Sequence, residues 1–193
     1  KPIKFVRVCE SLTCELFGAQ RILKDLSKIK DDNIKVVPGP CMGRCQSAPT
    51  VCVDKNYVDN AKTEEVLKTI NEKKFKPKIP EYISFEKYIK LGGYNLTKKI
   101  SNNEISNSKI VDILNESGLR GKGGAGFPTG KKWQIVSQYD DIKYLAINGD
   151  EGEPGTFKDR FYLESDPHRF LEGVLIASKF INAQKVYIYL RDE

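Results

Sequence analysis

Apolar residues recur along the chain with two different periods. Residues 3–8 are a short apolar run that predicts a strand, and residues 34–37 predict a second, closed by Pro38-Gly39-Pro40. Between them, residues 16–29 carry Leu16, Ala19, Leu23, Leu26 and Ile29 at near-helical spacing. Residues 50–53 and 57–58 predict a hairpin turning at Asp54-Lys55-Asn56, and residues 63–70 a closing helix with Thr63 as its cap. The order β-α-β-β-β-α gives a small α/β domain over residues 1–72. Residues 73–84, with Lys73, Lys74, Lys76, Lys78 and two prolines, have the composition of a linker. A second α/β domain is expected over residues 85–193. It opens with a short helix at 81–91 that Gly92-Gly93 breaks. Ile110, Ile113 and Leu114 then predict a helix over 106–117, capped by Ser or Asn and stopped by Gly118. Residues 144–147 and 186–190 read as strands. The helix between them is capped by Ser165 or Asp166 with Pro167 in its first turn, and Phe170, Leu171, Val174, Leu175, Ala177 and Ser178 form its inner face. Strand–helix–strand at this length predicts a right-handed unit with parallel strands.

Composition narrows the class. The hydrophobic and charged fractions, 39% and 30%, are those of a globular protein. No apolar run is long enough to span a membrane, and the N-terminal residues lack the apolar core of a signal peptide, so a cytoplasmic protein without direct membrane insertion is expected. The chain lacks an initiator Met and stops just after an apolar run, which predicts a fragment of a longer protein. Its net charge of +6 comes from scattered lysines with no aromatic-interleaved cluster, which argues against nucleic acid. His168, the only histidine, falls at a predicted helix start and is expected to be a structural surface residue rather than a base.

Five cysteines without a secretion signal argue against a disulfide framework. Cys9 and Cys14 are separated by four residues, Cys41 and Cys45 by three, and all four are expected on loops just after strands. Gly43 and its turn can aim N–H groups at sulfur, and Arg44 adds positive charge. A [2Fe–2S] cluster, a structural zinc and disulfides all remain open on these residues alone. Cys52 lies outside the pattern and reads as a small apolar strand residue. The two cysteine pairs, with the run Pro-Cys-Met-Gly-Arg-Cys-Gln-Ser-Ala-Pro ending at Pro49, resemble the thioredoxin-like [2Fe–2S] ferredoxins. That resemblance implies that Cys9, Cys14, Cys41 and Cys45 hold the cluster.

Residues 118–133 read Gly-Leu-Arg-Gly-Lys-Gly-Gly-Ala-Gly-Phe-Pro-Thr-Gly-Lys-Lys-Trp. Crowded glycines let backbone N–H groups approach an anion, and Arg120, Lys122, Lys131 and Lys132 supply positive charge, so a nucleotide or flavin phosphate is expected here. Residues 121–126 match G-x-G-x-x-G but follow a predicted helix, so this is not an ordinary Rossmann turn. The loop also lacks the G-x-x-x-x-G-K-[ST] order of a phosphotransferase. The competing reading is a flexible loop with solvated lysines. After the strand at 144–147 comes Asn-Gly-Asp-Glu-Gly-Glu-Pro-Gly-Thr-Phe-Lys-Asp-Arg, ending at Arg160. Polar groups just past a strand's carboxyl end suit ribose or a flavin ring; an acidic surface turn and a divalent-metal site are the alternatives.

Together these two segments resemble the FMN- and NADH-binding subunit of complex I and its diaphorase relatives. The fold class expected is therefore α/β: a small thioredoxin-like ferredoxin domain followed by part of a Rossmann-like FMN/NAD-binding domain. The resemblance implies that Gly121, Lys122, Gly123, Gly124 and Lys132 meet FMN or nucleotide phosphate and that Phe127 packs on the adenine of NAD. It implies that Asn148 and Asp150 bond FMN, and that Glu151 and Glu153 position the nicotinamide half, Glu153 as the catalytic group. Lys122 replaces an Arg common in relatives, and Ile135 replaces a second aromatic. Fusion of both modules in one chain resembles the β subunit of NAD-dependent formate dehydrogenase or the diaphorase subunit of NAD(P)-linked hydrogenases; the Gly-Arg-Cys-x-x-Ala-Pro run leans towards the former. The cofactors implied are FMN, NAD(H) and a [2Fe–2S] cluster, with a [4Fe–4S] cluster in a C-terminal part. The partner implied is a molybdenum or tungsten formate dehydrogenase α subunit or an equivalent redox subunit. A zinc-stabilised, nucleotide-sensing interaction module is the non-enzymatic alternative.

Overall fold

The computed structural model describes residues 3–122, 124–153, 155–156 and 158–190. The chain divides into two compact units: Lys1–Glu81 with Asp150–Phe161 and Arg191–Glu193, and Tyr82–Gly149 with Tyr162–Leu190.

The first unit is built on a four-stranded sheet in the order β2-β1-β3-β4. β1 (Lys4–Cys9) lies parallel to β2 (Ile34–Gly39) and antiparallel to β3 (Val51–Val53), which pairs antiparallel with β4 (Asn56–Val58). Alternation along β1 turns Val6 and Val8 fully inward, where they meet Leu26, Val51, Val53 and Val66, all 0% exposed. Pro38 extends β2 opposite Val8, which an edge strand tolerates because it can lose one ladder N–H. The β3–β4 turn is tighter than the spacing predicted: Val53 pairs with Asn56, leaving Asp54 and Lys55 at the tip with Asp54 at φ +61.

The single helix expected over 16–29 is instead two, α1 (Leu12–Leu16) and α2 (Ala19–Leu26). Gly18 between them takes φ +90, a conformation that ends one helix and re-aims the next. α3 (Thr63–Asn71) closes the unit; Lys62, not Thr63, is its N-cap residue, so Thr63 begins the helix instead of capping it. Past α3 the chain stays attached: the Lys55 N–H donates to the Phe75 carbonyl, and Asn56 Nδ2 donates to that of Lys74 at 2.8 Å.

In the second unit, α4 (Phe85–Lys90) is capped by Ser84, and α6 (Asn107–Glu116) by Ser106 as its sequence implies. α5 (Asn95–Ser101) and α7 (Thr129–Ser137) are helices that apolar spacing did not reveal. β5 (Lys143–Gly149) and β6 (Ala183–Leu190) pair in parallel, with Ile147 opposite Ile188. The connection between them contains α8 (Lys158–Ser165), where a loop was expected, and α9 (Pro167–Phe180), capped by Asp166. The core gathers Ile100, Ile110, Val111, Phe180 and Ile181, with the Trp133 ring 5.4 Å from that of Phe180. Among the described residues no helix is long and apolar enough to cross a membrane.

One acidic side chain joins the helices of this unit. The Glu172 carboxylate of α9 accepts from Tyr88 Oη, from the Tyr94 N–H at 3.0 Å and from Thr97 Oγ1 at 3.1 Å. Burial alone would raise its pKa, but these bonds outweigh burial and hold the carboxyl below its ordinary value. Tyr88 is pushed up to about 12, first by burial and then by Glu172, so it remains a donor. His168 is half-buried beside this network, with Nδ1 3.0 Å from Tyr94 Oη. It is therefore structural, but not a surface residue. Gly93 permits the close turn after α4: a Cβ there would lie 2.1 Å from Tyr88 Cδ1.

Candidate cluster and flavin sites

Cys9 is the last residue of β1, Cys14 sits inside α1, and Cys45 opens a short 3-10 turn. Of the four cysteines expected on loops, only Cys41 is outside regular structure. α1 begins early because Ser11 is extended at its N-cap and Glu15 favours the first turn. All five cysteines are free thiols. Cys41 Sγ and Cys45 Sγ are 3.6 Å apart, close to the roughly 3.7 Å set by two sulfurs on one tetrahedral metal with metal–sulfur bonds of about 2.3 Å. Cys14 forms the other pair with Cys9, its side-chain hydrogen-bond partner. Two pairs are the donor set of a binuclear cluster, in which each iron takes two thiolates, so these residues fit a [2Fe–2S] group.

Donors are already aimed at the sulfurs. The Thr50 backbone serves Cys14; the Gly43 backbone and the Ser11 side chain serve Cys41; the Gly155 N–H lies 3.1 Å from Cys45 Sγ. Burial nevertheless dominates, pushing Cys14 up to about 12 and raising Cys41, with neighbouring thiols adding to both. Gly43 does what its place in the sequence suggested. Arg44 does not chiefly face sulfur: its guanidinium pairs with Asp59 at 3.0 Å and lies over the Tyr57 ring. Cys52 is buried in β3, with Sγ 3.3 Å from the Asp54 carbonyl, as expected of a structural residue.

The glycine loop leaves α6 at Gly118, φ +65, and enters α7 at Thr129. Its neck is a short antiparallel bridge between Arg120 and Pro128, with the Thr129 N–H on the Leu119 carbonyl and the Gly121 N–H on that of Phe127, both at 2.9 Å. Arg120 Nη1 closes the lobe by donating to the Gly126 carbonyl at 3.1 Å. Part of the charge expected for a phosphate is therefore spent on the loop itself. Gly124, Lys122, Lys131, Lys132 and Phe127 are exposed. Gly123 lies outside the described residues. α7 starts without a side-chain cap, so its first N–H groups and its two lysines adjoin the glycines. Gly130 has a packing role: a Cβ would stand 2.4 Å from Asn115 Oδ1 of α6.

The acidic loop follows β5 directly. Asn148 is exposed and Asp150 is half-buried. Glu151 takes φ +43, and its Oε1 and Oε2 accept the N–H groups of Asp159 and Arg160 at 2.8 and 2.9 Å, capping α8. The Glu153 side chain is exposed, while its carbonyl accepts from Thr156 Oγ1 at 2.6 Å. Among the described residues no three His, Cys, Asp or Glu side chains converge on one ion-sized point.

Comparison with known proteins matches residues 2–74 to the thioredoxin-like [2Fe-2S] ferredoxin family and residues 114–193 to the Nuo51 FMN-binding domain. The chain is 46% identical over 125 residues to an NADH-quinone oxidoreductase subunit of Aquifex aeolicus (strain VF5), covering 65% of this chain and 29% of that one. To an NADH-quinone oxidoreductase subunit of Rhizobium meliloti (strain 1021) it is 48% identical over 103 residues, 53% of this chain and 24% of the other. It thus spans under a third of the length of these relatives. Its fold is similar to a chain of an NAD+-reducing [NiFe]-hydrogenase in the air-oxidized state, with a TM-score of 0.74 at 22% identity, covering 98% of this chain and 38% of that one.

Proposed function

Since the chain joins a thioredoxin-like [2Fe–2S] ferredoxin domain to an FMN-binding domain of the complex I 51 kDa type, we propose that it passes electrons between NAD(H), FMN and iron–sulfur clusters as the diaphorase subunit of a cytoplasmic NAD-dependent formate dehydrogenase. The observation that carries the electron-transfer role is the presence of both domains in one polypeptide. Bound FMN supplies the exchange between two-electron hydride chemistry and single-electron transfer. The chain's residues supply placement. Cys9 with Cys14, and Cys41 with Cys45, would supply the four thiolates that hold the cluster. Lys122 and Lys132 would balance the charge of a phosphate and the exposed Gly124 backbone would face it, the Gly121 N–H being held by the Phe127 carbonyl. Phe127, 45% exposed, offers a ring face to adenine. Asn148 and Asp150 bond the flavin. Glu153 orients the nicotinamide, and Glu151 assists it by fixing the loop.

The formate assignment rests on the Gly-Arg-Cys-x-x-Ala-Pro run and implies a molybdenum or tungsten α subunit as electron source, with a [4Fe–4S] cluster beyond this chain. A second reading is the diaphorase of an NAD-linked hydrogenase, whose fold this chain shares over 98% of its length. Molybdenum or tungsten in the co-purifying subunit supports the first, nickel the second.

The test of the site is kinetic. In the full-length protein, Phe127→Ala should raise the KM for NADH about tenfold, the scale of one lost base–aromatic stack of roughly 1–3 kcal/mol, with kcat little changed. Glu153→Gln should lower kcat instead. An unchanged KM in the first variant and an unchanged kcat in the second would overturn these assignments.

A further inference from the structure

Cys45 differs from the other cysteines in where its donor comes from. The Gly155 N–H reaches its sulfur at 3.1 Å from 110 residues away in sequence, whereas the donors to Cys41 and Cys14, from Ser11, Gly43 and Thr50, all come from the N-terminal cysteine-bearing segment. Gly155 belongs to the acidic loop that carries Glu153, and the segment Asp150–Phe161 groups with the cysteine-bearing unit.

The loop is shaped to make this contact. Its Glu151 end is tied to the first turn of α8 by two charge-assisted bonds. Between Glu153 and Thr156 the backbone folds into a turn, with both the N–H and the hydroxyl of Thr156 on the Glu153 carbonyl. Gly155 takes φ +89 inside that turn, with nothing within 4 Å of where a Cβ would stand. The left-handed conformation therefore serves to direct the backbone, not to avoid a neighbour.

We infer that the Gly155 amide is a hydrogen-bond donor to the Cys45 thiolate of the bound cluster and that it raises the cluster's reduction potential. The inference rests on the proposal that Cys45 is a cluster ligand. The physical reason is charge: reduction adds one electron to the cluster, its thiolates become more negative, and an N–H held at a sulfur stabilises the reduced form more than the oxidised one. Linkage makes the effect mutual, so a reduced cluster holds the turn beside Glu153 more tightly than an oxidised one. Gly155 acts here as a positioning residue, through the Cys45 sulfur.

The test is an EPR-monitored redox titration of the N-terminal cluster in the full-length protein, comparing Gly155→Pro, which removes the N–H and, with φ fixed at about −65°, the left-handed turn that aims it, with Gly155→Asn, which keeps the N–H and tolerates positive φ. Gly155→Pro should shift the midpoint to a more negative potential at unchanged iron and flavin content, and Gly155→Asn should stay close to the unsubstituted protein. A Gly155→Pro midpoint equal to that of the unsubstituted protein overturns the inference. If Gly155→Pro fails to fold, pulsed EPR on protein labelled with 15N-glycine decides: one nitrogen coupling to the reduced cluster should be lost in Gly155→Asn, and an unchanged spectrum overturns the inference. Absence of any [2Fe–2S] signal from the unsubstituted protein instead defeats the underlying ligand assignment.

Discussion

Cys14→Ala is expected to abolish iron and acid-labile sulfide binding by the N-terminal unit, while Cys52→Ala leaves both in place. Both residues are buried, at 1% and 4% exposure, and both belong to the same apolar core. What separates them is company. Cys14 is paired with Cys9 and served by the Thr50 backbone, whereas Cys52 Sγ meets the Asp54 carbonyl and the Arg7 side chain and, among the described residues, no other thiol. Losing Cys14 leaves one iron a single protein thiolate, and the binding energy of the cluster is then unavailable to the fold. Losing Cys52 removes one small apolar group from β3, at a cost of about 1–2 kcal/mol. Visible absorption and iron analysis read the first effect; thermal unfolding reads the second. Equal cluster loss in both variants would contradict the ligand set.

Glu172→Gln should destabilise the second unit by about 2–3 kcal/mol at neutral pH, the scale of charged hydrogen bonds replaced by neutral ones at a half-buried site. The carboxylate gathers donors from Tyr88, Tyr94 and Thr97, and so joins α4 and α5 to α9. Its folded pKa is lowered, so the stabilisation is fully present above the unfolded value of about 4.3 and is lost as pH falls through the lower folded value. The stability difference between the unsubstituted chain and Glu172→Gln should therefore be constant above about pH 5 and shrink below about pH 4. Chemical denaturation across that range checks it. A difference that grows on acidification would contradict the assigned ionisation.

The parts of the fold legible in the sequence are those with a clean apolar period. Val6 and Val8 alternate, and Ile110, Ile113 and Leu114 mark α6. α7 was hidden because Gly130, Lys131 and Lys132 interrupt its apolar spacing; Gly130 is small to admit α6, a reason that lies in a partner helix. α8 has no buried face to betray it, and its cap, Glu151, comes from seven residues upstream of Lys158. The break at Gly18 was visible as a glycine, but the apolar residues on both sides kept a helical period across it. In the site, the cysteine spacing and the Gly43 turn were readable. The donors Thr50, Ser11 and Gly155 were not, because folding brings them to sulfur and no local pattern marks them. Glu172 left one usable trace: it is the one acidic residue of α9, next to Leu171 and close before Val174.

The most direct measurement of the whole account is anaerobic addition of NADH to the full-length protein, followed by optical and EPR spectroscopy. Stoichiometric FMN should bleach, and the signal of a reduced [2Fe–2S] cluster should follow in the unsubstituted protein but not in Cys14→Ala. A protein that holds zinc without acid-labile sulfide, or a flavin that NADH leaves oxidised, would contradict it.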